Sequence, residues 1–162
     1  RSQLRATCVG ANFQDADLSQ TDFTETEATD SNFQNANFQG AILKNAKFVG
    51  TDLRNAEFKG SNTYRTNCRG ANLAGINLQG VNFEGDLRGA NLVGAKLQDL
   101  NLNYLDLSEA DLSEANVTGA SFRETNLDQA NLTKVTGFTW ESYDYPVYLR
   151  GATLPDGSKR EL

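Results

Sequence analysis

From Ala6 to Lys134 one large apolar residue returns at nearly every fifth position, with small or polar residues between. Ala36-Asn37-Phe38-Gln39-Gly40 is followed by Ala41-Ile42-Leu43-Lys44-Asn45 and Ala46-Lys47-Phe48-Val49-Gly50. Of 26 such blocks, the third residue is Leu or Phe in 21, the first is Ala, Ser or Thr in 21, and the second is Asn or Asp in 19. The pattern is therefore an internal repeat. An amphipathic helix needs apolar residues about every 3.6 positions and a half-buried strand every 2. A spacing of five serves neither, but it suits a chain that turns a corner once per block and points each large residue inward. Asn and Asp at the second position tolerate turn backbone and hydrogen-bond locally. The small first residue leaves room beside the large third one.

These blocks resemble the pentapeptide-repeat family, whose pattern is A(D/N)LXX, over residues 6–134. The resemblance implies an all-β fold, a right-handed quadrilateral β-helix with four blocks per coil. With coils stacked at strand spacing, ~4.8 Å, about six and a half coils make a rod ~31 Å long. Wrapping the sequence in this way lines up four interior ladders. One runs Phe13, Phe33, Leu53, Leu73, Leu92, Leu112, Leu132, and another runs from Cys8 through Cys68 to Leu127. Cys8 and Cys68 then lie three coils apart, ~14 Å by the same spacing. That exceeds disulfide reach, about 7 Å between Cα atoms. Both are expected as buried thiols filling core positions.

The repeat slips once. Phe83 to Leu87 is a step of four, around Glu84-Gly85-Asp86. Gly85 takes a first position, where its permissive backbone is expected to absorb the shortened corner. Thr63, polar at a core position, lies one coil below Phe83, and Leu100 and Leu105 are oversized for first positions. Tyr64 and Tyr104 project from the same side, with Arg65, Arg69 and Arg88 around the same corner. These five residues have two readings: local repacking around a short turn, or a partner-binding patch of the composition interfaces favour.

The segment from Thr136 abandons the pattern and is rich in aromatics. This divides the chain into a repeat domain, residues 1–135, and a C-terminal capping segment, 136–162. Phe138 and Trp140 are the candidates for plugging the interior below Leu127 and Leu132, because an open coil end is a template for another chain. Leu154-Pro155-Asp156-Gly157 reads as a turn. Similar tails occur in family members from cyanobacteria and the chloroplast thylakoid lumen. That resemblance implies the lumen or a periplasm, with the cytoplasm as the alternative. The chain begins at Arg1 without Met, as a processed or trimmed chain would.

Composition narrows the function. With 21 acidic and 15 basic residues the net charge is −6, which opposes direct nucleic-acid binding and attraction to an anionic membrane. No apolar run is long enough for a membrane-spanning helix. There is no His, hence none of the commonest general base or metal ligand. No catalytic constellation, cofactor motif or small-molecule site is present, so the chain is read as a non-enzyme without cofactor or metal. The expected role is a structural or interaction scaffold for a protein partner, as a monomer or end-to-end dimer. The alternative is a DNA mimic acting on gyrase, as in quinolone-resistance members of the family, which are acidic along the rod. Here residues 11–30 hold six acids and no base, and residues 99–128 seven acids and one base. Residues 44–98 hold eight bases and four acids, a basic belt where such a mimic needs negative charge.

Overall fold

Each block makes a short straight step and then a tight turn. The carbonyl of the third residue accepts the amide of the next block's first residue, as Cys8 does from Ala11 at 3.0 Å. The fifth residue takes a left-handed backbone, for example Asp15 at φ 59° and Glu124 at φ 52°. A positive φ confined to the third residue of a four-residue turn is the type II signature. The second-position side chain supports this turn, as Asn12 Oδ1 accepts the Gln14 amide at 3.1 Å and Asp17 Oδ1 that of Ser19 at 3.0 Å. The Asn/Asp preference thus has a local cause, the Asx turn. These features come from a computed structural model that describes residues 6–139 and 146–161. Trp140 lies outside the described residues.

Successive coils pair in parallel at second positions 20 residues apart, as Asn12 with Asn32 and Asn32 with Asp52. In each pairing the third-position amide donates onward, Phe13 to the Asn32 carbonyl at 2.7 Å. The second-position amide donates back, Asn32 to the Ala11 carbonyl at 2.9 Å. Across the slip the interval falls to 19, as Asn72 pairs with Asn91, and it returns to 20 beyond it, as Asn91 pairs with Asp111. Among the described residues the ladder widens to two-residue strands only at the slip, β1 (Thr66–Asn67) beside β2 (Gly85–Asp86).

The interior is filled by the third-position residues, with first-position alanines such as Ala36, Ala41 and Ala46 fully buried. In the N-terminal half phenylalanines stack along a ladder, Phe13 on Phe33 at 4.8 Å. Across ladders they meet edge to face, Phe33 with Phe48 at 5.5 Å and 90°. Both are favoured aromatic geometries. Buried first-position hydroxyls bond the coil before, Thr51 to the Ala28 carbonyl at 2.7 Å and Thr125 to that of Leu102 at 2.9 Å, so they cost the core little.

Three expectations change. Cys68 is buried but Cys8 is only partly so, because the described coils cover it from one side. Gly85 does not have a left-handed backbone; its requirement is space. A Cβ there would stand 2.6 Å from the Thr66 carbonyl oxygen and 2.8 Å from the Phe83 ring. The tail also resumes the coil. Asn126 pairs with Tyr148 and Asn131 with Thr153, which places Leu149 over Leu127 and Leu154 over Leu132. Phe138 packs instead edge to face on Phe122, at 5.1 Å. Beyond Leu154 the chain reverses, with the Gly157 amide bonding the Leu154 carbonyl at 2.9 Å, and Lys159 runs antiparallel to Thr153.

Candidate functional site

The slip deletes one turn residue and opens the ladder. On the face that carries Asp22, Ile42 and Asn62, parallel pairing stops at Asn62 and resumes between Asn101 and Ser121. Asn82, between them, pairs with neither neighbour, and Val81–Glu84 runs without ladder partners. Thr63 spans part of the gap. Its hydroxyl donates to the Asn82 carbonyl at 3.1 Å and accepts the Glu84 amide at 3.0 Å. A polar residue at a core position is thereby satisfied where the regular bonds are missing.

Outside this gap lies a groove of about 750 Å³. Tyr64 and Arg65 line it from the coil below and Tyr104 from the coil above, with Asn82, Glu84 and Asp106 between. Both tyrosines are exposed, Tyr104 at 61%. Cations hold their rings: Lys44 and Arg65 lie 5.9 and 5.2 Å from the Tyr64 ring centre, and Arg123 lies 5.6 Å from that of Tyr104. Such contacts place an aromatic ring at little entropic cost to a partner.

The structure divides the five corner residues expected as one patch. Tyr64, Arg65 and Tyr104 line the groove, whereas Arg69 and Arg88 line a second hollow of about 470 Å³, with Asn67 and Asp106 shared between the two. Arg88 is also engaged. Its Nε donates to Asp86 at 3.0 Å and lies 3.5 Å from Asp106. Partial burial would raise the Asp86 carboxyl, but the hydrogen bonds and charge of Arg88, with the Arg69 charge, hold it below the usual carboxylate range. Arg54 and Asp52 form the same two-residue pair, with the Arg54 hydrogen bond lowering Asp52. The Arg88 pair is thus a recurrent ornament of the Asx turn.

Glu84 is marked in the sequence only by its place at the slip, and Asn82 and Asp106 look like ordinary second-position residues. Only the slip itself could have pointed to them. Among the described residues no group of three or more His, Cys, Asp or Glu could hold a metal ion.

The family model for pentapeptide repeats matches the chain in 8 copies, over residues 6–45, 31–62, 64–103, 85–113 and 106–136. The chain belongs to the pentapeptide-repeat family. The fold that this membership implies, a right-handed β-helix, is that of a solved relative. Full-length QnrB1, a plasmid-mediated fluoroquinolone resistance protein, superposes with a TM-score of 0.75 at 22% identity, over 93% of this pentapeptide-repeat chain and 79% of its own. At that identity the likeness concerns the fold alone. A pentapeptide repeat protein from the Arabidopsis thaliana thylakoid lumen is 25% identical over 80% of this chain and 67% of its own, with a TM-score of 0.31. HetL, involved in heterocyst differentiation regulation in the cyanobacterium Nostoc, is 25% identical over 96% and 88%, with a TM-score of 0.34. Superpositions this poor carry no argument about lineage or compartment. No curated protein sequence matches the pentapeptide-repeat chain significantly.

Proposed function

We propose that this pentapeptide-repeat rod is a non-catalytic scaffold that binds a protein partner at the corner of the slip, through Tyr64, Arg65 and Tyr104, with Arg69 and Arg88 on its rim. The groove of about 750 Å³ between the two exposed tyrosines carries this reading. Aromatic and arginine side chains in a concave site are what binding hot spots use. The rest of the rod, about six and a half coils over residues 1–135, holds that corner rigid, and residues 136–162 close its C-terminal end. The rod works without cofactor, metal or small-molecule substrate, as a monomer or end-to-end dimer. The thylakoid lumen or a periplasm suits the Leu-Pro-Asp-Gly tail, with the cytoplasm as the alternative. The test is capture from a native extract by immobilised rod, compared with the Tyr64→Ser/Tyr104→Ser double variant. A protein captured by the first and lost with the second supports the reading. Equal capture by both removes the corner from it.

The fold likeness to QnrB1 supports a second reading, a DNA mimic acting on gyrase. The basic belt over residues 44–98 opposes it. A mimic would alter supercoiling in a salt-sensitive way; the scaffold leaves gyrase supercoiling unchanged at micromolar protein.

A further inference from the structure

Resting on the scaffold reading, we propose that the groove takes an extended peptide segment carrying a basic side chain. The segment lies beside Val81–Glu84, and its cation reaches Glu84 and Asp106 between Tyr64 and Tyr104.

The shape follows from the missing residue. At a regular corner, turn residues stack coil upon coil. Here the coil with Glu84 lacks its fifth residue, so the corner recedes between the coils carrying Tyr64 and Tyr104. Two coil spacings separate those coils, about 10 Å. That is room for one extended chain with a side chain directed inward.

Thr63 engages the Asn82 carbonyl and the Glu84 amide of this recess, but two of its main-chain donors are available. On the same face the amides of Ile42, Asn62 and Ser121 donate to the coil before, Asn62 to the Ala41 carbonyl at 2.9 Å and Ser121 to that of Leu100 at 2.9 Å. The Asn82 amide makes no such bond, and Phe83 does not make the forward bond that Leu43 and Leu102 make. Asn82 is exposed as well. Unpaired ladder groups at an accessible edge are what an incoming strand uses for affinity, while its side chains supply specificity.

Charge selects the side chain. The groove lining carries Glu84, Asp86 and Asp106 against the single guanidinium of Arg65. Arg88 pairs closely with Asp86 and, at 3.5 Å, also with Asp106, which leaves Glu84 as the carboxylate without a cation. Glu84 accepts from the Asn82 amide group at 2.6 Å but pairs with no cation among the described residues. The carboxylates take the head of an Arg or Lys side chain, and the tyrosine rings flank its stem, as aromatic faces do for guanidinium. The rim cations Lys44, Arg65 and Arg123 already occupy ring surface, so the selectivity rests on the carboxylates and not on the rings.

The test uses the full chain and three fluorescein-labelled, amidated seven-residue peptides of Ser, Thr and Val, whose central residue is Arg, Glu or norleucine. Anisotropy is expected to show the Arg peptide binding at least tenfold more tightly than the other two. That binding weakens several-fold between about 50 and 300 mM salt. Glu84→Gln with Asp106→Asn should weaken it at least tenfold, with unchanged circular dichroism. One glycine inserted between Glu84 and Gly85 restores the 20-residue coil and should abolish it. The proposal is overturned if no peptide binds, if the three bind alike, or if the carboxylate variants bind as the parent does. If extract capture depends on Tyr64 and Tyr104 while the Arg peptide fails to bind, the scaffold stands and the basic-segment class falls.

Discussion

Thr63 and Glu84 are joined across the slip: the Glu84 amide donates to the Thr63 hydroxyl at 3.0 Å, and the same hydroxyl donates to the Asn82 carbonyl at 3.1 Å. One side chain thus does on this face what two ladder bonds do elsewhere. Thr63 is buried, so removing its hydroxyl strands two main-chain groups. Thr63→Val is nearly isosteric and is expected to cost about 1–3 kcal/mol, the range for buried polar groups left unpaired. Thr63→Ser should retain most of the stability. Urea unfolding of the two variants is the measurement, and a Val variant as stable as the parent would show that water replaces the hydroxyl.

Gly85 tests the other side of the same joint. Its Cβ would press on the Thr66 carbonyl oxygen, part of a paired strand that cannot move aside. Gly85→Ala is expected to destabilise by about 1–3 kcal/mol, as overpacking does. Gly80→Asn provides the contrast. Gly80 has φ 73° and open space around its Cβ position, and Asn tolerates that backbone. Thermal melts should show a clear drop for the first and little change for the second.

The C-terminal turn of chain pairs onto the coil before it. The Leu127 and Leu132 amides donate to the Tyr148 and Thr153 carbonyls at 2.8 Å each, and the reversal after Leu154 lays residues 158–160 along the last edge. Deleting residues 146–161 should leave those amides and the leucines beneath them uncovered, an open edge for another copy. Sedimentation is expected to show end-to-end association or aggregation of the truncated chain at concentrations where the parent does not associate further. Phe138→Ala, which empties the contact on Phe122, should cost about 3 kcal/mol, at the lower end for buried aromatics.

The cysteines carry a pH signature. Burial pushes the Cys68 thiol from its ordinary value of 9.0 up to about 12, and the Asp86 charge adds to the shift. The folded state keeps a proton that the unfolded state releases. The stability tied to the neutral thiol is therefore complete below pH 9 and is lost as the pH climbs toward 12, about 4 kcal/mol in full. A melting temperature that falls steeply above pH 9, with a shallower fall in Cys68→Ala, is the expected outcome. At pH 8 Cys8 should be alkylated faster than Cys68, since it is only partly buried. Mass analysis of the unreduced chain should find two free thiols.

The coil itself was determined by the sequence alone, because every step of it is local. A large third residue, a small first residue and an Asn or Asp whose side chain bonds two residues ahead produce one turn whatever lies above or below. Twenty-six repetitions make that signal unambiguous, and a single missing residue at Glu84-Gly85 stands out against it. The tail is less readable, since Val147-Tyr148-Leu149-Arg150-Gly151 is one block without regular neighbours inside a segment whose aromatics read as a cap. What only the tertiary structure decided concerns residues one or two coils apart: the Thr63 hydroxyl serving Glu84, the Thr66 carbonyl excluding a Cβ at Gly85, Arg69 and Arg88 falling into a separate hollow from Tyr64 and Tyr104, and Leu149 returning over Leu127. Each depends on which coil lies beside which. A five-residue pattern specifies the corner of a coil, but the neighbour across the ladder is set by coil length, and at the slip that length changes.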